Sequence, residues 1–495
     1  PAFADKKNIS ASTPVIIIIS DQLRYDAVGK HTPHIDQLGR DGVVFGRAYC
    51  ASPICVPSRA AFFTGRYPNR NGCLINGWEG DEKRFGEVRS GTPNLYGVMS
   101  ASWNSRHVGK QHFFTHDRID TAAGTKWITQ PDYKAWLKSN RIKPPGGRQF
   151  TGMAPELVSG GHTTTKRYTL PVYEAYAPGL SWFTDEYFAN QAVDIIRGQE
   201  GPRPLLLNLM FMSPHPPYNI PEPYFSKWKK EDLDIPENVG KWYPGQSPLQ
   251  LFNLPGFMGS RYNRQDWEAI WPKYFGLVSL VDDEVGRVID ALKEKGLYDK
   301  ALIIFTADHG EMLGAHSLWQ KMCMYEEASH VPLIIKFPSD MRRGPLHIDS
   351  LVSLIDVWPT LMDYLHIGEK GSTDGVSLMP LVSGEVQRRS PVYIQYDGNG
   401  GYGNNQRCIV DGEYKLIIDS FKGEIFMELY NVVKDPQERE NLIAGAAFTG
   451  RVKDLLRKLQ RHMLDTKDLM VLPEHVYEDF LAVYRKKDQK GGEGD

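Results

Sequence analysis

The sequence has no apolar run near the ~20 residues that a helix needs to cross a bilayer. Its longest early run, Val15 to Ile19, is short and β-branched and reads as a buried strand. No membrane span is expected. Charge of one sign is also lacking: 58 Lys and Arg face 60 Asp and Glu, a formal net charge of −2. That excludes the broad basic surface a nucleic acid demands, so no nucleic-acid partner is expected. Cysteine is scarce. Cys50, Cys55, Cys73, Cys323 and Cys408 contain no C-x-x-C pair and fit no zinc module. Five is odd, so they cannot all pair within the chain, and their density is far below that of a disulfide scaffold. If the protein is exported, Cys50 with Cys73 is the bridge to look for. There is no internal repeat.

What is present points to an α/β protein. A length of 495 residues suits one large domain plus a smaller one. Four apolar runs read as central strands covered on both faces: Val15 to Ile19, Leu205 to Met212, Ala301 to Thr306 and Val331 to Phe337. The first ends in Ser20-Asp21-Gln22, the second in Ser213-Pro214-His215-Pro216-Pro217, and the third in Ala307-Asp308-His309-Gly310. Polar groups at the carboxyl ends of buried strands are how open α/β sheets build sites.

Helical spacing of apolar residues predicts a helix over Tyr274 to Lys295, stopped by Gly296, and another over Ile355 to Leu365. Strands alternating with helices imply a parallel or mixed doubly wound sheet. Near residue 385 the pattern changes to short strand-like runs with a hairpin signal at Asp411-Gly412, then a helix over about 450 to 463. The predicted division is a catalytic domain over 1–384 and a small antiparallel α+β subdomain over 385–495, with a disordered charged tail from Arg485. Residues 117 to 185 and 221 to 264 read as long insertions near the site.

The most informative stretch is Cys55-Val56-Pro57-Ser58-Arg59, followed by Thr64-Gly65-Arg66. Pro57 suits a first helical turn. Cys55 then sits just before a helix N-terminus, one turn from Arg59, in the electropositive setting that a nucleophile facing an oxyanion needs. Alone, Cys55 would read as an ordinary buried cysteine. As a whole, the stretch resembles the signature of the type I sulfatases in the alkaline phosphatase superfamily, whose cysteine is oxidised to Cα-formylglycine.

Further segments resemble the same family in order: Asp21-Gln22, Gly109-Lys110-Gln111-His112, Ser213 to Tyr218, Thr306 to Gly310, Lys321, Val331-Pro332-Leu333, and Glu428 to Asn431 with Asp435-Pro436 and Glu440-Asn441-Leu442. The resemblance spans about residues 15 to 442. It implies an alkaline-phosphatase-like mixed sheet sandwiched by helices, with sulfate-ester hydrolysis as the activity.

It also implies a set of roles. Asp21, Gln22, Asp308, His309 and the modified Cys55 hold a divalent metal, Ca²⁺ by family habit. Gln22 and His309 depart from the commoner carboxylate and amide set, which keeps Mg²⁺, Mn²⁺ or Zn²⁺ open. Arg59 holds the formylglycine hydrate. Lys110 and Lys321 touch sulfate oxygens. His215, helped by Lys321, gives a proton to the leaving alcohol, and His112 takes the proton that triggers sulfate release; the reverse assignment stays open.

Asn71 and Trp78, with the aromatic-rich insertions, are candidates for the leaving-group pocket. The implied partners are a sulfated saccharide and a formylglycine-generating enzyme during maturation. Pro1-Ala2-Phe3-Ala4 before Asp5-Lys6-Lys7 resembles the end of a secretory signal, so a periplasmic or secreted location is expected. Two rivals remain: a phosphonate or phosphate ester hydrolase with the same nucleophile, and a non-catalytic sulfoglycan binder.

Overall fold

The computed structural model describes residues 12–78, 80–120, 124–158, 161–339, 346–368, 372–386 and 391–491. The Pro1-Ala2-Phe3-Ala4 stretch lies outside them.

A mixed sheet of nine strands forms the centre: β1 Val15–Asp21, β2 Val43–Tyr49, β3 Asn104–Gly109, β4 Thr125–Thr129, β5 Leu205–Pro214, β6 Leu302–Ala307, β7 His330–Val331, β8 Leu333–Lys336 and β9 Leu346–Ser353. From one edge the order runs β9, β2, β7 and β8, β6, β1, β5, β3, β4. Strands β6, β1, β5, β3 and β4 are mutually parallel. Every residue of β1 is buried, as its unbroken apolar run requires between two covered faces.

The expected Val331 to Phe337 strand is instead two short pieces on either side of Pro332, which has no N–H to give the ladder. Both run antiparallel to β2. The 117 to 185 segment is not all loop: β4 extends the main sheet from within it, and Thr151–Leu157 pairs with Thr163–Thr169 in a hairpin.

Helix α1, Cys55–Thr64, is buried at all ten positions, so it has no polar face for sequence periodicity to reveal. It ends at Gly65 in the left-handed region, φ 63°, where a Cβ would meet the Trp358 side chain at 2.8 Å. Helices α2, Thr184–Arg197, and α3, Arg264–Glu294, pack on each other and on β5. The last begins ten residues before the expected Tyr274. A capping box between Asn263 and Asp266 sets that start, and the helix continues through Pro272. The second expected helix, Ile355 to Leu365, is a short 3₁₀ turn followed by Val357–Tyr364.

A separate antiparallel sheet follows: β10 Val392–Tyr396, β11 Asn404–Asp411, β12 Tyr414–Phe421 and β13 Glu424–Asn431. Alternation divides its two faces. Ile394, Cys408 and Ile417 join the main core. Ile409, Leu416, Ile418 and Leu429 pack under helix α4, Thr449–Asp465. The tail is helical further than its charge suggested, since α5 covers Val476–Gly491. All five cysteines are buried free thiols, so Cys50 and Cys73 form no bridge.

Candidate active site

Four neighbouring parallel strands deliver the site. Asp308 follows β6, Asp21 ends β1, His215 follows β5 and Lys110 follows β3. Parallel order puts all four carboxyl ends on one edge, which is why positions hundreds of residues apart converge. Gly109 makes the last delivery feasible. Its φ is 114°, and a Cβ there would lie 2.0 Å from the Met210 carbonyl.

Cys55 is the first residue of α1 itself, not the residue before it. Its amide neighbour Val56 donates to Asn76 Oδ1 at 3.1 Å, and Asn76 Nδ2 donates to Asn399 Oδ1 at 2.7 Å. The Cys55 Sγ lies 3.2 Å from His309 Nε2 and 3.9 Å from Lys110 Nζ. One ligand atom from each of Asp21, Cys55, Asp308 and His309 lies within 4.8 Å of the others, all four buried.

Arg59 spans this group, donating from Nε to Asp308 Oδ2 at 2.9 Å and from Nη2 to Asp21 Oδ2 at 3.0 Å. Lys110 Nζ pairs with the same Asp21 oxygen at 2.5 Å. The other Asp21 oxygen, Oδ1, and Arg59 Nη1 have no hydrogen-bond partner although buried. An open carboxylate oxygen beside a thiol and an imidazole fits a divalent cation. An open guanidinium nitrogen fits an oxygen on residue 55 or on an anion.

Burial alone would raise the Asp21 carboxyl, but Lys110, His215 and Arg59 outweigh it and hold the group well below the usual carboxylate range. Burial and Asp21 push the Cys55 thiol up, Lys110, Lys321 and His309 push it down, and the balance is a lowered pKa. Burial first, then Lys110 and Arg59, pull His112 well below an ordinary imidazole. Burial with Lys321 and Lys110 does the same to His215. Both rings are therefore neutral at neutral pH until a bound anion offsets the cations.

Gln22 sits in the left-handed region, φ 69°, as strained residues at sites do. Its side chain is clamped between two groups: Oε1 accepts from Lys321 and Nε2 donates to Glu311. Its backbone N–H donates to Asp308 Oδ1 at 3.1 Å, which keeps it beside the cluster. Trp78 is 51 % exposed and meets His112 edge-on at 5.5 Å. It rims a cavity of about 400 Å³ that Gln111, Phe113, Arg118 and Trp127 also line.

Asn71 does not belong to that pocket. It is fully buried, and its side chain is used locally, donating to Thr64 Oγ1 and the Arg66 carbonyl and accepting from Cys73 N at 2.8 Å. Short polar side chains in such turns bond their own backbone, and Asn71 does so here.

Sequence reasoning missed three supports. Glu311 receives Gln22 and the backbone N–H groups of Leu313 and Gln320. Its place next to Asp308-His309-Gly310 was the available signal. Asp185, on α2, receives the N–H groups of Met212 at 2.7 Å and Ser213 at 2.9 Å, just before His215. Asn399 comes from the loop between β10 and β11 of the second sheet. Neither Asp185 nor Asn399 had a local sequence signal.

A mixed sheet with a buried cysteine, two aspartates and cations at its carboxyl edge defines a hydrolase of anionic esters. A sulfatase family model matches residues 13–367, and a model described as N-sulphoglucosamine sulphohydrolase, C-terminal, matches 314–465. The chain belongs to the sulfatase family, enzymes that hydrolyse sulfate esters. It is 26% identical over 475 residues to an arylsulfatase of Clostridium perfringens, covering 90% of this chain and 93% of that one.

Among solved structures it is similar to a phosphonate monoester hydrolase of Agrobacterium radiobacter, with TM-score 0.75 and 24% identity over 92% of this chain and 96% of that one. It is also similar to a protein solved with its substrate D-glucosamine-2-N,6-O-disulfate, with TM-score 0.69 and 17% identity over 92% and 99%. These two likenesses concern the fold.

Proposed function

We propose that this sulfatase acts on a sulfated saccharide through formylglycine formed from Cys55, with one divalent cation. The observation that carries the reading is the Cys55 thiol at the head of α1, 3.2 Å from His309 Nε2 and 3.9 Å from Lys110 Nζ, inside the four-ligand cluster. Asp21, Asp308, His309 and residue 55 would hold the cation, with Gln22 alongside. Ca²⁺ is the first choice by family, and the imidazole keeps Mg²⁺, Mn²⁺ and Zn²⁺ in play. When bound it supplies Lewis acidity and shares the sulfate charge. Formylglycine at residue 55 would supply a carbonyl whose hydrate carries two hydroxyls, one able to act as nucleophile and the other able to lose its proton as the carbonyl re-forms and sulfate leaves.

The chain's own groups do the rest. Arg59 Nη1 anchors an oxygen on residue 55. Lys110 and Lys321 neutralise sulfate oxygens, where charge grows as the ester bond breaks. His215 gives the leaving alcohol its proton, with Lys321 beside Gln22 as its helper. His112, next to Trp78, takes the proton that frees sulfate. The Trp78 face stacks on a sugar ring. A formylglycine-generating enzyme acts on the chain before it closes around the fully buried Cys55, and the mature protein works in the periplasm or outside the cell.

The test has two arms. Peptide mass spectrometry should find the Cys55 peptide lighter by roughly 18 Da in active protein, as exchange of thiol and hydrogen for a carbonyl requires. Activity from protein whose residue 55 is entirely cysteine would end the reading. His309 in the cluster favours a second reading, phosphonate or phosphate ester hydrolysis at the same nucleophile. Turnover of nitrophenyl sulfate against its phosphate and phosphonate analogues separates the two, and a higher kcat/KM for the sulfate is expected.

A further inference from the structure

A second group of metal-ligating side chains lies away from the catalytic cluster, between the main domain and the small subdomain. One ligand atom from each of His316, Glu327 and Glu438 lies within 4.8 Å of the others. All three are at most 3 % exposed, and neighbouring Asn238 is fully buried.

The hydrogen bonding around them is incomplete. Glu327 Oε1 accepts from Asn238 Nδ2 at 2.7 Å, but Glu327 Oε2 and Asn238 Oδ1 have no hydrogen-bond partner. Two cations lie nearby, and Lys415 already pairs with one member of the group. Lys415 pairs with Glu326 at 2.6 Å and Glu438 at 2.9 Å, and Arg24 pairs with Asp26 at 2.6 Å. Glu327 has no ion pair among the described residues, only the Arg24 charge acting on it without direct pairing, and a buried carboxylate lacking a direct partner is costly.

The imidazole of His316 gives an independent sign. Gln246 is oriented by its amide, which donates to the His316 carbonyl at 3.0 Å, so its oxygen faces His316 Nδ1 at 3.2 Å. The other ring nitrogen, Nε2, faces the Gln437 carbonyl at 3.0 Å. Both nitrogens thus meet acceptors, and a neutral imidazole has only one proton to give. With the proton on Nδ1, two lone pairs face each other at Nε2. Two ligands at about 2.1 Å on adjacent octahedral positions of one cation sit about 3 Å apart, the same spacing. The Tyr325 ring stacks on His316 at 4.0 Å and fixes its plane.

We propose that His316 Nε2, Glu327 Oε2 and Glu438, completed by Asn238 Oδ1 and the Gln437 carbonyl, form a second, structural divalent-cation site. One nitrogen among oxygens suits a cation of the Mn²⁺ kind. The site ties residues 435 to 438 of the subdomain to the segment between Asp308 and Glu327, which also carries Lys321. It does not depend on the identity of the substrate or on the state of residue 55.

Metal counting tests it. Wild-type protein, purified without chelator and dialysed against Mn²⁺, should hold two equivalents per chain by plasma mass spectrometry. Asp308→Asn, which cripples the catalytic cluster, should retain one. Glu327→Gln should also retain one, and His316→Gln serves if that variant does not fold. Mn²⁺ should raise the Tm of Asp308→Asn but not of the Asp308→Asn, Glu327→Gln double variant. An Asp308→Asn protein that binds no Mn²⁺, or a Glu327→Gln protein that binds as many equivalents as wild type, overturns the proposal. The first result would mean that a proton shared among the carboxyls balances the charge instead; the second would mean that Glu327 is no ligand.

Discussion

Arg59 reaches two aspartates from different strands with two nitrogens of one planar group. A lysine cannot do this, since it offers a single point charge on a flexible stem. Arg59→Lys should therefore lower kcat/KM on a nitrophenyl sulfate by about 100-fold or more, the scale seen when one charge-stabilising donor is lost. Steady-state kinetics on folded, metal-loaded protein checks it. Asn71 makes the opposite case. Its Oδ1 is the acceptor for the Cys73 N–H, so Asn71→Ala should destabilise the fold by about 1–3 kcal/mol through a buried donor left unpaired. KM should not move, and a KM that rises severalfold would return Asn71 to the pocket. At this scale the motif residues were legible because their chemistry is local: a cysteine, a proline and an arginine in one turn. Asn71 misled because a buried turn amide and a sugar-binding amide look the same in sequence.

At the scale of elements, the parallel strands were readable wherever the core is apolar on both faces, as in β1, β5 and β6. Strand β3 was not, because Asn104-Ser105-Arg106-His107 carries polar residues into the sheet, and His107 is accommodated by the Tyr96 hydroxyl at 2.6 Å. Nor was the contact that steadies the end of β5. Asp185 in the first turn of α2 holds two consecutive N–H groups, those of Met212 and Ser213, one with each carboxylate oxygen. That fixes the backbone from which His215 projects. Asp185→Ala frees both amides and should lower kcat by about 10–100-fold with little change in KM, the penalty for a misplaced catalytic group. Asp185→Asn keeps one acceptor and should fall between. Equal loss in both variants would point to charge, not positioning.

The whole molecule is joined by polar contacts buried between its two sheets; of these only the Glu428 to Asn431 segment stood out in the sequence, and nothing there said what it would meet. Residues 221 to 264 read as an insertion near the site. Part of that segment instead reaches the antiparallel sheet, where the Ser247 hydroxyl donates to Asp419 at 2.7 Å and its N–H donates to Glu428 at 3.1 Å. Tyr325 and Tyr430 donate to the same Glu428 oxygen, at 2.7 and 2.9 Å. Burial, only partly offset by these donors, lifts both Asp419 and Glu428 to about 7. In the unfolded chain both titrate near pH 4. Between about pH 4 and 7 these two carboxyls therefore hold more protons in the folded protein than in the unfolded chain, and their contribution to stability falls as pH rises through that window. Glu326 acts in the other direction: burial would raise it, but Lys415 and His330 bring it to about 2, so its contribution is lost only in acid below its unfolded pKa. The buried histidines act with the opposite sign below about pH 6.5, equally in wild type and variant, so the test is the difference between the two. Asp419→Asn keeps an acceptor for Ser247 but cannot ionise, so in calorimetry from pH 5 to 7.5 the Tm of wild type should fall relative to that of the variant as pH rises, and the two curves should converge toward pH 5. Parallel curves would mean that Asp419 is already charged in the folded state and that the junction does not store the proton.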